Sequence, residues 1–223
     1  MPRVYSEKEK TLKEGLKTLV IDIKEMARSP IAIFTTCMII TPIGIGAAVG
    51  IWLSVAGDWK VSSDTVSLVT GLLSGGISAV VCVFGGWIAD KLGRWWAFFG
   101  SGTLMAMVTL VMSVSNFTPI NYSVGVLFYA FMSGFANAAF SAVVLHAIGK
   151  GLAATKYALL SSISNIAPVY MVLFDGWLHD KYNIKTMLLG ESFLGVGFVV
   201  IALFSLWQFN AKNKLGTKNS IYR

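Results

Sequence analysis

The chain has 223 residues, of which 55% are hydrophobic and only 13% are charged, and its mean hydropathy is +0.69. Because a soluble domain carries about a quarter of charged residues, this composition excludes an ordinary soluble protein and indicates an integral membrane protein. The net charge of +7 comes without a basic face interleaved with aromatic side chains, which argues against binding to nucleic acid.

Residues 8–28 predict an amphipathic helix with a basic face. Its apolar side chains recur at helical spacing, and they are Leu12, Leu16, Leu19, Val20, Ile23 and Ala27. Four lysines lie largely between them, at Lys8, Lys13, Lys17 and Lys24. Such a helix lies on the inner leaflet of a membrane, and a solvated linker helix is the alternative. Ser29 and Pro30 end the pattern, so residues 1–30 are predicted to form a cytoplasmic linker.

Six apolar runs follow, each long enough to cross a bilayer core of about 30 Å as a helix. They cover residues 31–55, 65–89, 95–115, 122–147, 157–177 and 186–209. Because backbone polar groups in lipid must be satisfied within their own segment, the runs predict helices. The predicted fold class is therefore an all-α membrane protein with a six-helix bundle over 31–209. Pro42 and Pro168 predict bends in the first and fifth spans.

The placement of charge predicts the orientation. If the N-terminus is cytoplasmic, 15 of the 18 Lys and Arg residues lie on the cytoplasmic side. The opposite side carries only Lys60, Lys181 and Lys185. Because positive charge concentrates on the cytoplasmic side of membrane proteins, both termini, including the basic tail 210–223, are predicted to be cytoplasmic. The membrane is then the inner or plasma membrane of the cell.

A short motif occurs twice, 90 positions apart. Residues 86–91 read GWIADK and residues 176–181 read GWLHDK, and the starts of the spans are offset by similar amounts. This spacing predicts two three-helix units in tandem. Because three crossings are an odd number, the second unit is inverted relative to the first, so one copy faces the cytoplasm and the other faces outside.

The first copy lies in a charged hairpin between two apolar spans. Gly86 predicts a close contact between helices, and Gly93 predicts a tight turn. Lys91 and Arg94 are expected to hold the hairpin on the cytoplasmic side. Asp90 is expected to pair with Arg94 or to accept hydrogen bonds at the N-terminus of another helix. Such a clasp, made in one conformation and broken in another, works as a gate; an ordinary charged hairpin is the alternative.

The spacing Gly86-x-x-x-Asp90-Lys91-x-Gly93-Arg94 resembles the loop that joins the second and third helices in each six-helix half of the major facilitator superfamily. Trp95 departs from that pattern, because a second basic residue is common there. The basic N-terminal helix resembles the cytoplasmic linker ahead of the C-terminal half. The resemblance implies helices seven to twelve of a twelve-helix transporter, with a second six-helix half or a second copy as partner.

A second likeness is found at residues 154–162, which read ATKYALLSS. The stretch is similar to the entry into helix eleven of the AmpG-type muropeptide permeases and the related acetyl-coenzyme A transporters. It implies a subgroup within the superfamily but carries no residue that contacts a solute.

Polar side chains inside the spans are the candidates for contact with a solute or a coupling ion, because such groups are costly in lipid and face a cavity or a partner helix. They are Asn137, Asn165, Tyr129, Tyr170 and Glu191. For the two asparagines, packing between helices is an equal alternative. For Glu191, a salt bridge with Lys185 or Lys181 at the membrane surface is the alternative to proton coupling.

The remaining titratable groups predict neither a metal site nor a cofactor. Asp175, at the outer end of the fifth span, is expected to cap a helix or to form an ion pair. His146 and His179 fall on opposite sides of the membrane and cannot share a metal ion. The sequence contains no nucleophile, zinc-binding or phosphate-binding motif that would indicate an enzyme.

These features predict a secondary active transporter, or one half of one, that moves a small solute by alternating access. The expected partners are membrane lipid, the solute and a second six-helix half. A membrane interaction or scaffold protein that keeps the bundle without transporting is the alternative.

Overall fold

The structure is a computed structural model that describes residues 27–43, 50–148 and 153–220, together with Lys17, Val20, Ile21, Ile23 and Lys24; residues 209–220 are described by their backbone alone. Most of the predicted amphipathic helix 8–28 therefore lies outside the described residues. The five isolated positions have helical backbone, and the side chains of Val20 and Ile21 are exposed.

Every regular element in the described part of the chain is helical. The elements are α1 Pro30–Ile40, α2 Trp52–Val55, a 3-10 turn Ala56–Trp59, α3 Ser63–Leu92, α4 Arg94–Val114, α5 Pro119–Ile148, α6 Ala153–Ser164, α7 Ile166–Lys181 and α8 Ile184–Ser220. Five stretches are long and apolar enough to cross a membrane, namely Ser63–Leu92, Arg94–Val114, Pro119–Ile148, Ala153–Lys181 and Ile184–Gln208. The predicted all-α membrane fold is confirmed, and these five stretches correspond to its second to sixth spans.

The first predicted span, 31–55, is interrupted. Helix α1 ends at Ile40, and Thr41 takes an extended conformation, because a residue that precedes proline is disfavoured in the helical region. The α-helical conformation resumes at Trp52. Residues 44–49, which precede it, lie outside the described residues. The bend predicted at Pro42 is therefore a break in the helix.

The fifth span is interrupted at Asn165, between α6 and α7. The ring of a proline clashes with the carbonyl four residues before it, and for Pro168 that carbonyl belongs to Ser164, the last residue of α6. The proline is therefore the physical reason why the span divides at this point.

Small residues bring the spans into close contact. A Cβ atom on Gly134 would lie 2.5 Å from the carbonyl oxygen of Ser78, so α3 and α5 touch backbone to backbone. The Ser78 hydroxyl donates to the Ala130 carbonyl at 2.7 Å across the same contact. Helices α4 and α8 approach where a Cβ on Gly195 would lie 3.2 Å from the Cβ of Ala106. Packing of this kind replaces the hydrophobic driving force that is absent between helices in lipid.

The two ends of the bundle have separate cores. One end, here called the Trp59 end, holds buried Trp52, Trp59, Tyr122 and Tyr129, and the Tyr122 hydroxyl donates to the Trp52 carbonyl at 2.9 Å. The opposite end, here called the Gly93 end, is filled by phenylalanine and small side chains around Phe98. The connections that the structure describes between successive spans, around Gly93, Asn116 and Asn183, alternate between these two ends.

The two copies of the repeated motif lie at opposite ends of the bundle. Residues 86–91 close α3 at the Gly93 end, whereas residues 176–181 close α7 at the Trp59 end, where the His179 Nε2 lies 2.8 Å from the Asp58 carboxylate. Both motifs also stack a lysine on a tryptophan one turn earlier, with Lys91 Nζ 3.8 Å from the Trp87 ring centroid and Lys181 Nζ 4.9 Å from that of Trp177. This geometry fits inverted repeats, although their equivalence along the whole chain stays a prediction.

The second and fifth spans are the least covered by the rest of the protein. In their most apolar stretches, 11% of the residues of Ser63–Leu92 and 17% of those of Ala153–Lys181 are buried, against 33 to 56% in the other three spans. Large apolar side chains such as Leu72, Val83 and Leu173 are exposed there. These two spans therefore have most of their surface open to lipid or to another protein.

Candidate functional site

The charged hairpin at the Gly93 end turns on Gly93, which has φ +91°. This left-handed conformation is accessible to glycine without strain, so the tight turn predicted from the sequence is present. The close helix contact, by contrast, belongs to the neighbouring glycine. A Cβ on Gly85 would lie 3.0 Å from both Ala138 and Phe135, whereas one on Gly86 would meet nothing within 4 Å. The packing role expected of Gly86 is therefore wrong for this bundle.

The charged residues of the hairpin are exposed to the surroundings. The described residues contain no ion pair between Asp90 and Arg94, and Lys91 instead lies over the Trp87 ring. The intramolecular pair expected for Asp90 is not formed. Asp90 and Arg94 both line an open cavity of about 400 Å³ with Cys82, Gly86 and residues of α5 that include Ser141 and His146. Their charges are therefore free to meet a partner from outside the bundle.

Two of the five in-span candidates meet each other. The Tyr129 hydroxyl on α5 donates a hydrogen bond to the Glu191 Oε1 on α8, and both residues are buried, with 1% and 8% of their surface exposed. Neither Lys181 nor Lys185 pairs with this carboxyl group, so the salt bridge considered for Glu191 is not formed. The contact lies within the core of the Trp59 end rather than on an open surface.

Tyr170 has a partner at the break in the first span. Its hydroxyl donates to the Ile40 carbonyl at 2.7 Å. In a continuous helix that carbonyl would accept from the amide of residue 44, but α1 ends at Ile40. Tyr170 therefore satisfies a backbone acceptor that the Pro42 break leaves without a helical partner, and it connects α7 to α1.

Replacing Tyr170 with phenylalanine is expected to destabilise the fold by about 1 kcal/mol, because the Ile40 carbonyl loses its hydrogen bond while the ring stays in place. Thermal unfolding of the purified protein in detergent measures the change. Tyr182→Phe is the matched control, because Tyr182 is exposed. Its ring contacts Trp177 and Lys181, and a phenylalanine ring keeps both contacts. Equal melting temperatures for the two variants would contradict the capping role.

The two asparagines are exposed, and both lie far from the ends of their spans. At 1.5 Å per residue, Asn137 is about 16 Å from the nearer end of α5, and Asn165 is about 18 Å from the start of α6. The Asn165 Nδ2 donates to the Ser161 carbonyl at 3.1 Å within its own segment. The structure therefore does not bring the asparagines into the Tyr129–Glu191 contact.

A cavity of about 190 Å³ lies between α3 and α5 and was not predicted from the sequence. Its polar lining is made of hydroxyl groups, and Trp52 forms part of its wall; the lining residues with hydroxyls are Thr70, Ser74, Ser78 and Ser133. Thr70, Ser74 and Ser78 are spaced four residues apart, which is the signal that would have predicted one polar stripe on α3. The stripe begins in a π-helical turn over Leu68–Leu73, where the Ser74 hydroxyl donates to the Val69 carbonyl at 2.6 Å.

Asp175 was expected to cap a helix or to form an ion pair at the membrane surface, and this expectation is wrong. The residue is completely buried in α7, and neither carboxyl oxygen has a hydrogen-bond partner among the described residues. The residues on either side of Asp175 in the sequence gave no hint of this, because burial of a single side chain near a helix end depends on the helix packed against it.

The spans, their tight turns and the exposed charged hairpin define a multi-pass integral membrane protein. A family model described as the Major Facilitator Superfamily matches residues 2–170, which is most of the chain. The chain therefore belongs to the Major Facilitator Superfamily, whose members are transporters rather than enzymes, and it is a membrane transport protein. No curated protein and no solved structure matches it. The likeness to the AmpG-type permeases is not confirmed and stays a prediction.

Proposed function

We propose that the chain is one six-helix half of a secondary active transporter and moves a small polar solute by alternating access. The supporting observation is the position of polar groups halfway along the spans. Ser78 lies midway along α3 and Ser133 midway along α5, so the hydroxyl-lined cavity extends from the middle of these spans toward the Trp59 end. Polar groups at this depth are costly in hydrocarbon and are retained where they face a water-filled cavity or a partner.

The exposed amides support the same proposal. Asn137 and Asn165 are exposed at mid-span, where lipid offers no hydrogen-bond partner beyond the one that Asn165 has in its own segment. A second six-helix half would cover this surface and turn it into the wall of a cleft. The poor coverage of α3 and of α6–α7 agrees with such a partner, because these two spans offer the largest uncovered faces.

The lining of the hydroxyl-lined cavity suggests the class of solute. Hydroxyl groups and one tryptophan line it, without a charged side chain. Such a surface suits an uncharged molecule with several hydroxyl or amide groups, which can hydrogen-bond to the serines and stack on the ring. Tyr170 and the asparagines add polar contacts along the proposed cleft.

At the Gly93 end, Asp90 and Arg94 are proposed to form the gate with the second half. Both are exposed and line one cavity, and the N-terminus of a partner helix would offer amide donors to the Asp90 carboxylate. In this arrangement residues 1–30 are the cytoplasmic linker, residues 31–209 the bundle and residues 210–223 a basic tail, and both termini are cytoplasmic in the cell membrane.

Uptake by energised membrane vesicles tests the proposal. Vesicles that contain the chain with its second half receive an isotope-labelled extract of cell metabolites, and mass spectrometry identifies what accumulates. We expect gradient-dependent accumulation of an uncharged polar solute. Ser74→Ala should reduce it, while the matched control Ser205→Ala, whose hydroxyl donates to the Ile201 carbonyl on an exposed face, should not. A stable complex of the two halves without accumulation of any metabolite would support the scaffold alternative instead.

A further inference from the structure

The hydroxyl groups of the cavity between α3 and α5 offer mainly hydrogen-bond acceptors. A serine or threonine hydroxyl has one proton to donate and two lone pairs with which to accept. The Thr70 hydroxyl donates its proton to the Val66 carbonyl at 2.7 Å, and the Ser74 hydroxyl donates to the Val69 carbonyl at 2.6 Å. Both residues line the cavity, so their oxygens are left with lone pairs for a bound molecule.

The other polar side chains of the lining follow the same pattern with one exception. The Ser78 hydroxyl donates to the Ala130 carbonyl at 2.7 Å, and this bond joins α3 to α5. The indole N–H of Trp52 is buried, so it adds no donor to the cavity surface. Among the lining hydroxyls, only that of Ser133 forms no hydrogen bond in the described part of the chain and is free to donate. The lining therefore presents three committed hydroxyls and one free one.

This arrangement distinguishes donors from acceptors on a bound molecule. An O–H or N–H group can bond to the committed oxygens while every existing hydrogen bond stays intact. An ether or carbonyl oxygen can accept from such a hydroxyl only if the hydroxyl leaves its present carbonyl, and each such loss lowers the binding constant about 2- to 10-fold. For Ser78 the lost bond would be one that holds two helices together. The cavity therefore favours molecules that are rich in donors.

The spacing of the acceptors determines the shape of the molecule. Thr70, Ser74 and Ser78 are four residues apart, so they follow one another at intervals of about 6 Å along α3. A single metal ion holds its oxygen ligands within about 2.6 Å, so it cannot bind two oxygens at this separation. Gly71 and Gly75 lie in the same lining, and a Cβ at either would meet nothing within 4 Å. The free space along the helix suits an elongated molecule rather than a cation.

We propose that the cavity selects elongated, uncharged molecules with several O–H or N–H groups, such as polyols or primary amides, and rejects molecules of similar size that carry acceptors alone. Thr70, Ser74 and Ser78 accept from these donors. The lining contains no charged side chain that could balance an ammonium or guanidinium group, so the donors belong to neutral groups. The extension of this selectivity to a transported solute rests on the proposed transport function, whereas binding to the cavity does not.

Protection of an introduced thiol tests this selectivity in the purified full chain. Gly75→Cys, combined with Cys37→Ser and Cys82→Ser, places one thiol at the cavity without removing a hydroxyl. Labelling by a small methanethiosulfonate reagent is timed with mannitol, with succinamide or with triethylene glycol dimethyl ether, which is close to mannitol in mass and has no donor. We expect mannitol or succinamide to slow labelling about 2-fold at a concentration equal to its dissociation constant, and the ether to leave the rate unchanged.

Gly76→Cys in the same background is the matched control, because Gly76 adjoins Gly75 and has the same free space but does not line the cavity. Its labelling should not respond to any of the three compounds. Thr70→Val keeps the shape of the side chain and removes the acceptor, so it should weaken the protection of Gly75→Cys. Thr103→Val should not, since the Thr103 hydroxyl donates to the Phe99 carbonyl at 2.9 Å on α4 and does not line the cavity.

The proposal is overturned if the ether slows labelling as much as mannitol and succinamide do, if none of the three slows it, or if Gly76→Cys is protected equally. It is also overturned if sodium chloride protects the thiol and the two donor compounds do not, since the cavity would then hold a cation. Vesicle uptake separates this result from the transport proposal. Donor-selective protection without any uptake leaves the selectivity standing and removes the transport function, whereas uptake without donor-selective protection does the opposite.

Discussion

Gly134→Leu is expected to prevent the bundle from folding stably. The first side-chain atom at this position would lie 2.5 Å from a backbone oxygen and 2.9 Å from the Cα of Ser78, and backbone cannot move aside as a flexible side chain can. Overpacking costs up to about 3 kcal/mol, and the separation of α3 from α5 would also break the hydrogen bond from Ser78 to the Ala130 carbonyl. Size-exclusion profiles and thermal unfolding of the purified protein in detergent measure the loss.

Gly76→Leu is the matched control for this prediction. Gly76 lies on α3 two residues before Ser78, and a Cβ there would meet nothing within 4 Å. A leucine at this exposed position should leave the melting temperature close to that of the wild type. If both leucine variants fold equally well, α3 and α5 are not in backbone contact, and the hydroxyl-lined cavity between them loses its walls.

Asp90→Asn is expected to shift the transporter out of the conformation in which the Gly93 end is closed. A hydrogen bond to a charged group contributes about 1.5 to 3 kcal/mol, so its loss should change the ratio of the two conformations about 10-fold to 100-fold. Cys82 reports on this, because it lines the same cavity as Asp90 and Arg94. We expect faster labelling of Cys82 by maleimide in membranes that contain the assembled transporter, and slower solute uptake.

A variant with Cys37→Ser leaves Cys82 as the labelled thiol, since the chain has two cysteines. Asp64→Asn is the control for the loss of one negative charge at the opposite end of α3. Unchanged labelling and unchanged uptake in Asp90→Asn would show that the hairpin is only a charged turn. Membrane insertion, followed by the amount of chain in the membrane fraction, should be equal for all variants.

Hydropathy predicted the second to sixth spans well, because the thickness of the bilayer core sets the length of a spanning helix regardless of its neighbours. The tight turn at Gly93 was predictable for a similar reason, because the positive φ that such a turn requires depends on the local sequence. The opposite placement of residues 86–91 and 176–181 followed from counting the crossings between them. The family assignment agrees with the spacing of the charged hairpin.

The contacts of the polar side chains were not predictable in the same way. In a soluble helix the buried face is read from the contrast between apolar and polar residues, but a helix in lipid is apolar on every side. The rotation of each helix about its own axis could therefore not be predicted from the sequence. The close contact was expected at Gly86 although Gly85 makes it, and Asp175 was expected at the surface although it is buried.

The sequence alone thus determined that the described part of the chain is built of long apolar helices, where most of the second to sixth spans begin and end, and which end of the bundle carries each motif. These properties depend on local composition and on the thickness of the bilayer. Only the tertiary structure decided that Tyr129 donates a hydrogen bond to Glu191 and that Tyr170 donates one to the Ile40 carbonyl. It also decided that serines of two helices line one cavity. These contacts depend on the rotation and approach of helices, which glycines set by letting the backbone of Ser78 approach Gly134 and the side chain of Leu178 approach Gly190.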